Sequence, residues 1–77
     1  MAFFFFIWDG ENDRHIAEHG VSYEEAEYVV CFPDDKTISR SSGRNAAYGY
    51  TPTGKRLFVA YELFDDATVY IVTAYEV

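Results

Sequence analysis

One short stretch limits this chain more than any other: Gly20-Val21-Ser22-Tyr23-Glu24-Glu25. Glycine takes the left-handed conformation that ends a helix, and Gly20 stands where one would stop. Two residues on, Ser22 and Glu25 form a Ser-x-x-Glu capping box, the local chemistry that starts a new helix. Glu24, Glu25 and Glu27 complement the positive end of that helix. Ala26, Val29 and Val30 fall at i, i+3 and i+4, a narrow apolar stripe. The sequence therefore predicts two short helices broken at residue 20, with His19 in the last turn of the first. Everything else reads as strand.

The first strand is predicted over Phe3–Trp8. Its unbroken apolar run suggests burial on both faces and a central place in the sheet. Asp9 or Asn12 is placed to cap the first helix, which ends near His19. The second helix spans Tyr23 to Cys31, and Pro33 stops it. Further strands are predicted over residues 36–40, 44–51, 56–64 and 68–75. Turns fall at Ser41-Ser42-Gly43, Thr51-Pro52-Thr53-Gly54 and Asp65-Asp66-Ala67. Gly49 and Gly54 read as turn or bulge positions. The order β-α-α-β-β-β-β gives one α+β domain over residues 1–77, with both helices packed on a mostly antiparallel sheet.

At 77 residues the core must be built economically, and with 19% aromatic residues it is expected to be rich in rings. The single cysteine, Cys31, excludes an internal disulfide and any multi-thiolate metal site, and reads as a small core residue. It fits a reducing compartment, so a cytoplasmic location is expected. No apolar run approaches the ~20 residues of a membrane span. The net charge of −7 argues against a general nucleic-acid binder. The charge is uneven, however. Residues 1–38 carry two cations against nine acids, whereas residues 39–77 balance four against four. No acid lies between Lys36 and Tyr61, a span that holds Arg40, Arg44, Lys55 and Arg56.

Trp8-Asp9 before a short helix, then His19-Gly20-Val21-Ser22-Tyr23-Glu24-Glu25-Ala26, resembles the BrnT family of type II toxins. The resemblance continues through Gly49-x-Thr51-x2-Gly54-x-Arg56-Leu57-Phe58-Val59 and Val69-Tyr70-Ile71-Val72-Thr73-Ala74. It covers nearly the whole chain. It implies a RelE-like fold, an RNA-cutting activity without metal or cofactor, and a small antitoxin partner. The chain departs from the family pattern in two places. Gly10-Glu11-Asn12-Asp13 replaces a basic position on the first helix, and Thr73-Ala74-Tyr75 replaces a Ser-Ala-Arg ending.

RNA cleavage of this type needs a base for the 2′-hydroxyl, an acid for the leaving 5′-oxygen, and cations for the phosphate. The catalytic candidates are His19, Arg56, Glu62 and His15. Substrate binding falls to Arg40, Arg44, Lys55 and Trp8. Each has a plainer alternative. His19 suits a helix terminus, and His15 a half-buried helix position. Arg40 and Arg44 suit salt bridges to the acidic helices. Arg56 and Glu62 share a strand face but stand ~20 Å apart, too far for one phosphate. Asp9, Glu11, Asp13 and His15 do not converge as metal ligands. With two family cations missing, a weakened ribonuclease is expected, and the alternative is a non-catalytic interaction module on the same scaffold.

Overall fold

The computed structural model describes residues 4–38 and 43–77. The chain runs β1 (Phe5–Ile7), α1 (Gly10–Glu18), α2 (Tyr23–Cys31), β2 (Asp35–Ile38), β3 (Asn45–Tyr50), β4 (Arg56–Phe64) and β5 (Thr68–Glu76). The strands form one sheet in the order β1-β5-β4-β3-β2. The last four make an antiparallel meander, and β1 joins β5 in parallel. No described helix is long and apolar enough to cross a membrane.

Local chemistry sets the helix boundaries as expected. Asp9 caps α1, its carboxylate accepting from the N–H groups of Glu11 and Asn12 at 2.9 and 3.1 Å. Asn12 closes the box by accepting from the Asp9 N–H at 2.8 Å. Gly20 has φ +74° between the helices. The Ser22 hydroxyl accepts from the Glu25 N–H at 3.2 Å, and the Glu25 carboxylate accepts from the Ser22 N–H at 3.0 Å. These bonds satisfy N–H groups that a helix start otherwise leaves without partners.

The core lies between the helices and one sheet face. Ile16 of α1 and Ala26, Val29 and Val30 of α2 meet Leu57, Val59 and Ile71, all at most 1% exposed. An irregularity in the β4–β5 pairing shapes this face. Tyr61 pairs with Ile71 but Ala60 pairs with Thr73, so Val72 is an extra residue on β5. Val69 and Ile71 point inward before the bulge, and Ala74 after it. α1 runs beside β5, touching it at Tyr70, Val72 and Tyr75 through Asp9, His15 and His19 in turn.

Four expectations change. β1 is an edge strand, with Phe5 78% exposed. Only alternate residues, Phe4 and Phe6, pack on the core, a period-two pattern that an all-apolar run conceals. The core is aliphatic, and Tyr61 is the one aromatic residue buried among those described. Cys31, at the end of α2, is only half-buried. Gly49 sits inside β3 with no positive φ. A Cβ there would meet Val29 Cγ1 at 3.3 Å and the Phe32 carbonyl at 3.4 Å, so this glycine lets α2 approach the sheet. Gly54, with φ +90°, does occupy a turn, its N–H donating to the Thr51 carbonyl at 2.9 Å.

Candidate functional site

Leaving β5 at the bulge, the Val72 carbonyl faces α1, and His15 Nδ1 lies 3.3 Å from it. With the proton on Nδ1 donated to that carbonyl, Nε2 remains an acceptor, the tautomer a general base requires. His15 lines a cleft of about 210 Å³ between α1 and the sheet, with Glu11, Asn12, Arg44, Glu62, Tyr70 and Val72. Arg44 Nε donates to Glu62 Oε1 at 3.0 Å across β3 and β4. Both side chains are 41% exposed, so this pair contributes at most a few tenths of a kcal/mol to the fold.

The cleft wall is braced at its helical end. The Tyr70 hydroxyl donates to both carboxylate oxygens of Asp9, at 3.2 and 3.0 Å. Asp9 is held below the usual carboxylate range, first by its backbone bond from Asn12, then by that from Glu11 and by the Tyr70 hydroxyl. Tyr70 is pushed up, first by desolvation, then by its bond to Asp9 and by the charges of Asp9, Glu11 and Glu62. Tyr70 thus keeps its proton at neutral pH. Asn12, 1% exposed, spends its amide on the Ile7 carbonyl and fixes the start of α1 against β1.

Three of the eight sequence candidates converge here: His15, Arg44 and Glu62. The other described candidates do not. His19 is exposed at the C-cap of α1, with its ring 5.7 Å from that of Tyr75. Arg56, at the far end of β4 from Glu62, lies 3.7 Å from Asp34 and over the rings of Tyr48 and Tyr50. Lys55 reaches back to α2, 3.1 Å from Glu25. Trp8 donates its indole N–H to Glu27 at 2.7 Å and stacks on Tyr23, which makes it a link between β1 and α2. Arg40 lies outside the described residues. The expected salt bridge from Arg44 to an acidic helix is replaced by one to Glu62, because strand register brings that carboxylate closest. Among the described residues no group of three or more His, Cys, Asp or Glu side chains could hold a metal ion.

Tyr70 was missed as a site residue by sequence reasoning, and Asn12 was read only as a helix cap. The alternation of β5 could have flagged Tyr70, since it puts Tyr70 opposite Glu62. Glu11 was read as an acid where the resemblance places a cation, and it faces the cleft because α1 lies beside β5. No protein-family model, curated protein or solved structure matches the chain.

Proposed function

We propose that the chain is a BrnT-like toxin-type protein of a toxin–antitoxin pair, with a weak, metal-independent ribonuclease site in the α1–β5 cleft. The observation that carries this reading is the convergence of His15, Arg44 and Glu62 from three distant segments. His15 Nε2 takes the proton of a ribose 2′-hydroxyl, and the freed oxygen attacks the adjacent phosphorus. Arg44 neutralises the charge that builds on the phosphate oxygens. The Tyr70 phenol gives its proton to the departing 5′-oxygen, leaving a 2′,3′-cyclic phosphate and a 5′-hydroxyl. Activity is low because Arg44 is already held by Glu62 and because Glu11 adds a second carboxylate.

The test is cleavage of a fluorescent single-stranded RNA by the purified protein in EDTA. His15→Ala should slow cleavage by roughly 100-fold or more, the usual loss when a positioned proton-transfer group is removed. Induced expression should slow growth only mildly. Cleavage that survives both His15→Ala and Arg44→Ala unchanged would refute the site. A folded protein with no cleavage at all would favour the second reading, a non-catalytic interaction module. That reading draws support from the pairing of Arg44, Lys55 and Arg56 with carboxylates of the same chain.

A further inference from the structure

Three carboxylates stand in or beside the His15 cleft, and two of them are engaged. Asp9 accepts from the N–H groups of Glu11 and Asn12 and from the Tyr70 hydroxyl. Glu62 accepts from Arg44. Glu11 is the third. It lines the cleft, and, after desolvation and Asp9, its charge helps push the Tyr70 phenol up. Among the described residues no ion pair holds Glu11, and its bond to Asp9 uses the backbone N–H and not the carboxylate. Both of its carboxylate oxygens are therefore available to a ligand.

The position of Glu11 restricts what that ligand can present. Glu11 and His15 are i and i+4 on α1, so both stand on its cleft side, roughly 6 Å apart. On the ribonuclease reading, His15 takes the proton of a 2′-hydroxyl. The base carried by that same ribose reaches about as far as one helical turn, which brings its Watson–Crick edge to Glu11. Such an edge is free only in single-stranded RNA. Two acceptor oxygens side by side call for two donors side by side. Guanine alone among the four bases has them, the N1–H and the N2 amino group. Adenine and cytosine each offer one amino group beside a ring nitrogen, whose lone pair would face the second oxygen. Uracil has one N–H between two carbonyls. Hydrogen bonds to a carboxylate are roughly twice as strong as neutral ones, so the matched edge gains and the mismatched edges lose. Tyr70 and Val72, which also line the cleft, give the base an aromatic and an apolar surface to lie against.

We infer that Glu11 reads a guanine on the 5′ side of the cut, so that this cleft takes single-stranded RNA at guanosine. The inference rests on the ribonuclease reading of His15. It also accounts for an acid in a phosphate site, since the group that repels a phosphate is the one a guanine needs. Short fluorescent DNA strands carrying a single ribonucleotide test it, because only the bond after that residue has a 2′-hydroxyl to attack. Cleavage after guanosine should be at least tenfold faster than after adenosine, cytidine or uridine. Inosine, which keeps the N1–H and lacks the amino group, should fall between. Glu11→Gln keeps the shape of the side chain and removes one acceptor. It should bring the guanosine-to-adenosine ratio to within about threefold of one, with the parent circular dichroism spectrum. Equal cleavage after all four bases overturns the inference and leaves the ribonuclease reading standing. So does a guanosine preference that Glu11→Gln does not reduce. If no strand is cut, the ribonuclease reading fails by itself, and calorimetric titration with 3′-GMP and 3′-AMP decides the inference. Tighter binding of 3′-GMP, lost in Glu11→Gln, supports it. Equal or absent binding of the two overturns it, as does a cleft that binds arginine amide in preference to 3′-GMP, which would assign Glu11 to a cationic side chain.

Discussion

Gly49→Ala tests how closely α2 is seated on the sheet. The added methyl would lie 3.3 Å from Val29 Cγ1, 3.4 Å from the Phe32 carbonyl oxygen and 3.4 Å from Pro33 Cα. Comfortable contacts between carbon atoms run from about 3.5 to 4.0 Å. The valine can turn, but the other two neighbours are backbone at the end of α2. Overpacking of this kind typically costs about 1–3 kcal/mol. Replacing glycine also restricts the unfolded chain, which returns about 0.4–1 kcal/mol. The net expectation is a loss of about 1 kcal/mol, equivalent to about 4–8 °C in Tm for a domain of this size. Urea unfolding followed by Trp8 fluorescence reports it, since Trp8 is half-buried and stacked on Tyr23. The midpoint should fall with the slope unchanged. Gly10→Ala is the matched control. Gly10 opens α1 at ordinary φ with nothing within 4 Å of its Cβ position, so that variant should be as stable as the parent or slightly more so. If Gly49→Ala equals or exceeds Gly10→Ala in stability, the close approach of α2 to β3 is wrong.

Two further outcomes are expected. Asp65 and Asp66 both take positive φ, 45° and 65°, in a turn closed by the Ala67 N–H donating to the Phe64 carbonyl at 3.2 Å. Asp66→Gly should raise the urea midpoint, by about 0.5 kcal/mol, because Asp-Gly suits such a turn better than Asp-Asp; a lower midpoint would count against the turn geometry. Stability should also depend on acid. Asp9 and Glu25 are held below their ordinary values of 3.8 and 4.5, chiefly by backbone N–H groups of Asn12 and Ser22 respectively. A carboxylate with a lowered folded pKa contributes stability that is complete above its unfolded value and is lost as pH falls through the folded one. Urea midpoints should thus be flat from pH 7 to about 5 and decline below about 4.5. Equal midpoints at pH 5 and pH 3 would contradict these caps.

The helix break was legible because its causes are local. Gly20, Ser22 and Glu25 act on backbone groups within three residues, and the sequence displays that spacing directly. The β3–β4 and β4–β5 hairpins were legible for the same reason, since the Thr51–Gly54 and Asp65–Ala67 turns each carry their own signal, whereas Ser41-Ser42 lies outside the described residues. β1 was not. Phe4 and Phe6 turn inward while Phe5 and Ile7 face out, and four apolar letters in a row hide that alternation. The site was legible in types and not in company. His15, Arg44 and Glu62 stood out as chemistry, but only register brings Arg44 to Glu62, and only the path of α1 along β5 brings His15 to both. Arg56 was drawn toward the site by resemblance, and its place at the opposite end of β4 keeps it away.

The extra residue at Val72 also decides where this chain tolerates a change of length. Two residues before it, Tyr70 turns its hydroxyl to Asp9; two residues after it, Ala74 faces the core. Deleting Val72 would restore strict alternation and leave Thr73, Ala74 and Tyr75 on their present faces, but it would withdraw the carbonyl that meets His15. Lengthening the Asp65–Ala67 turn by a residue would only extend an exposed loop. Related chains that keep the His15 contact should therefore vary in length at the β4–β5 turn and hold a fixed count from Tyr70 to Ala74.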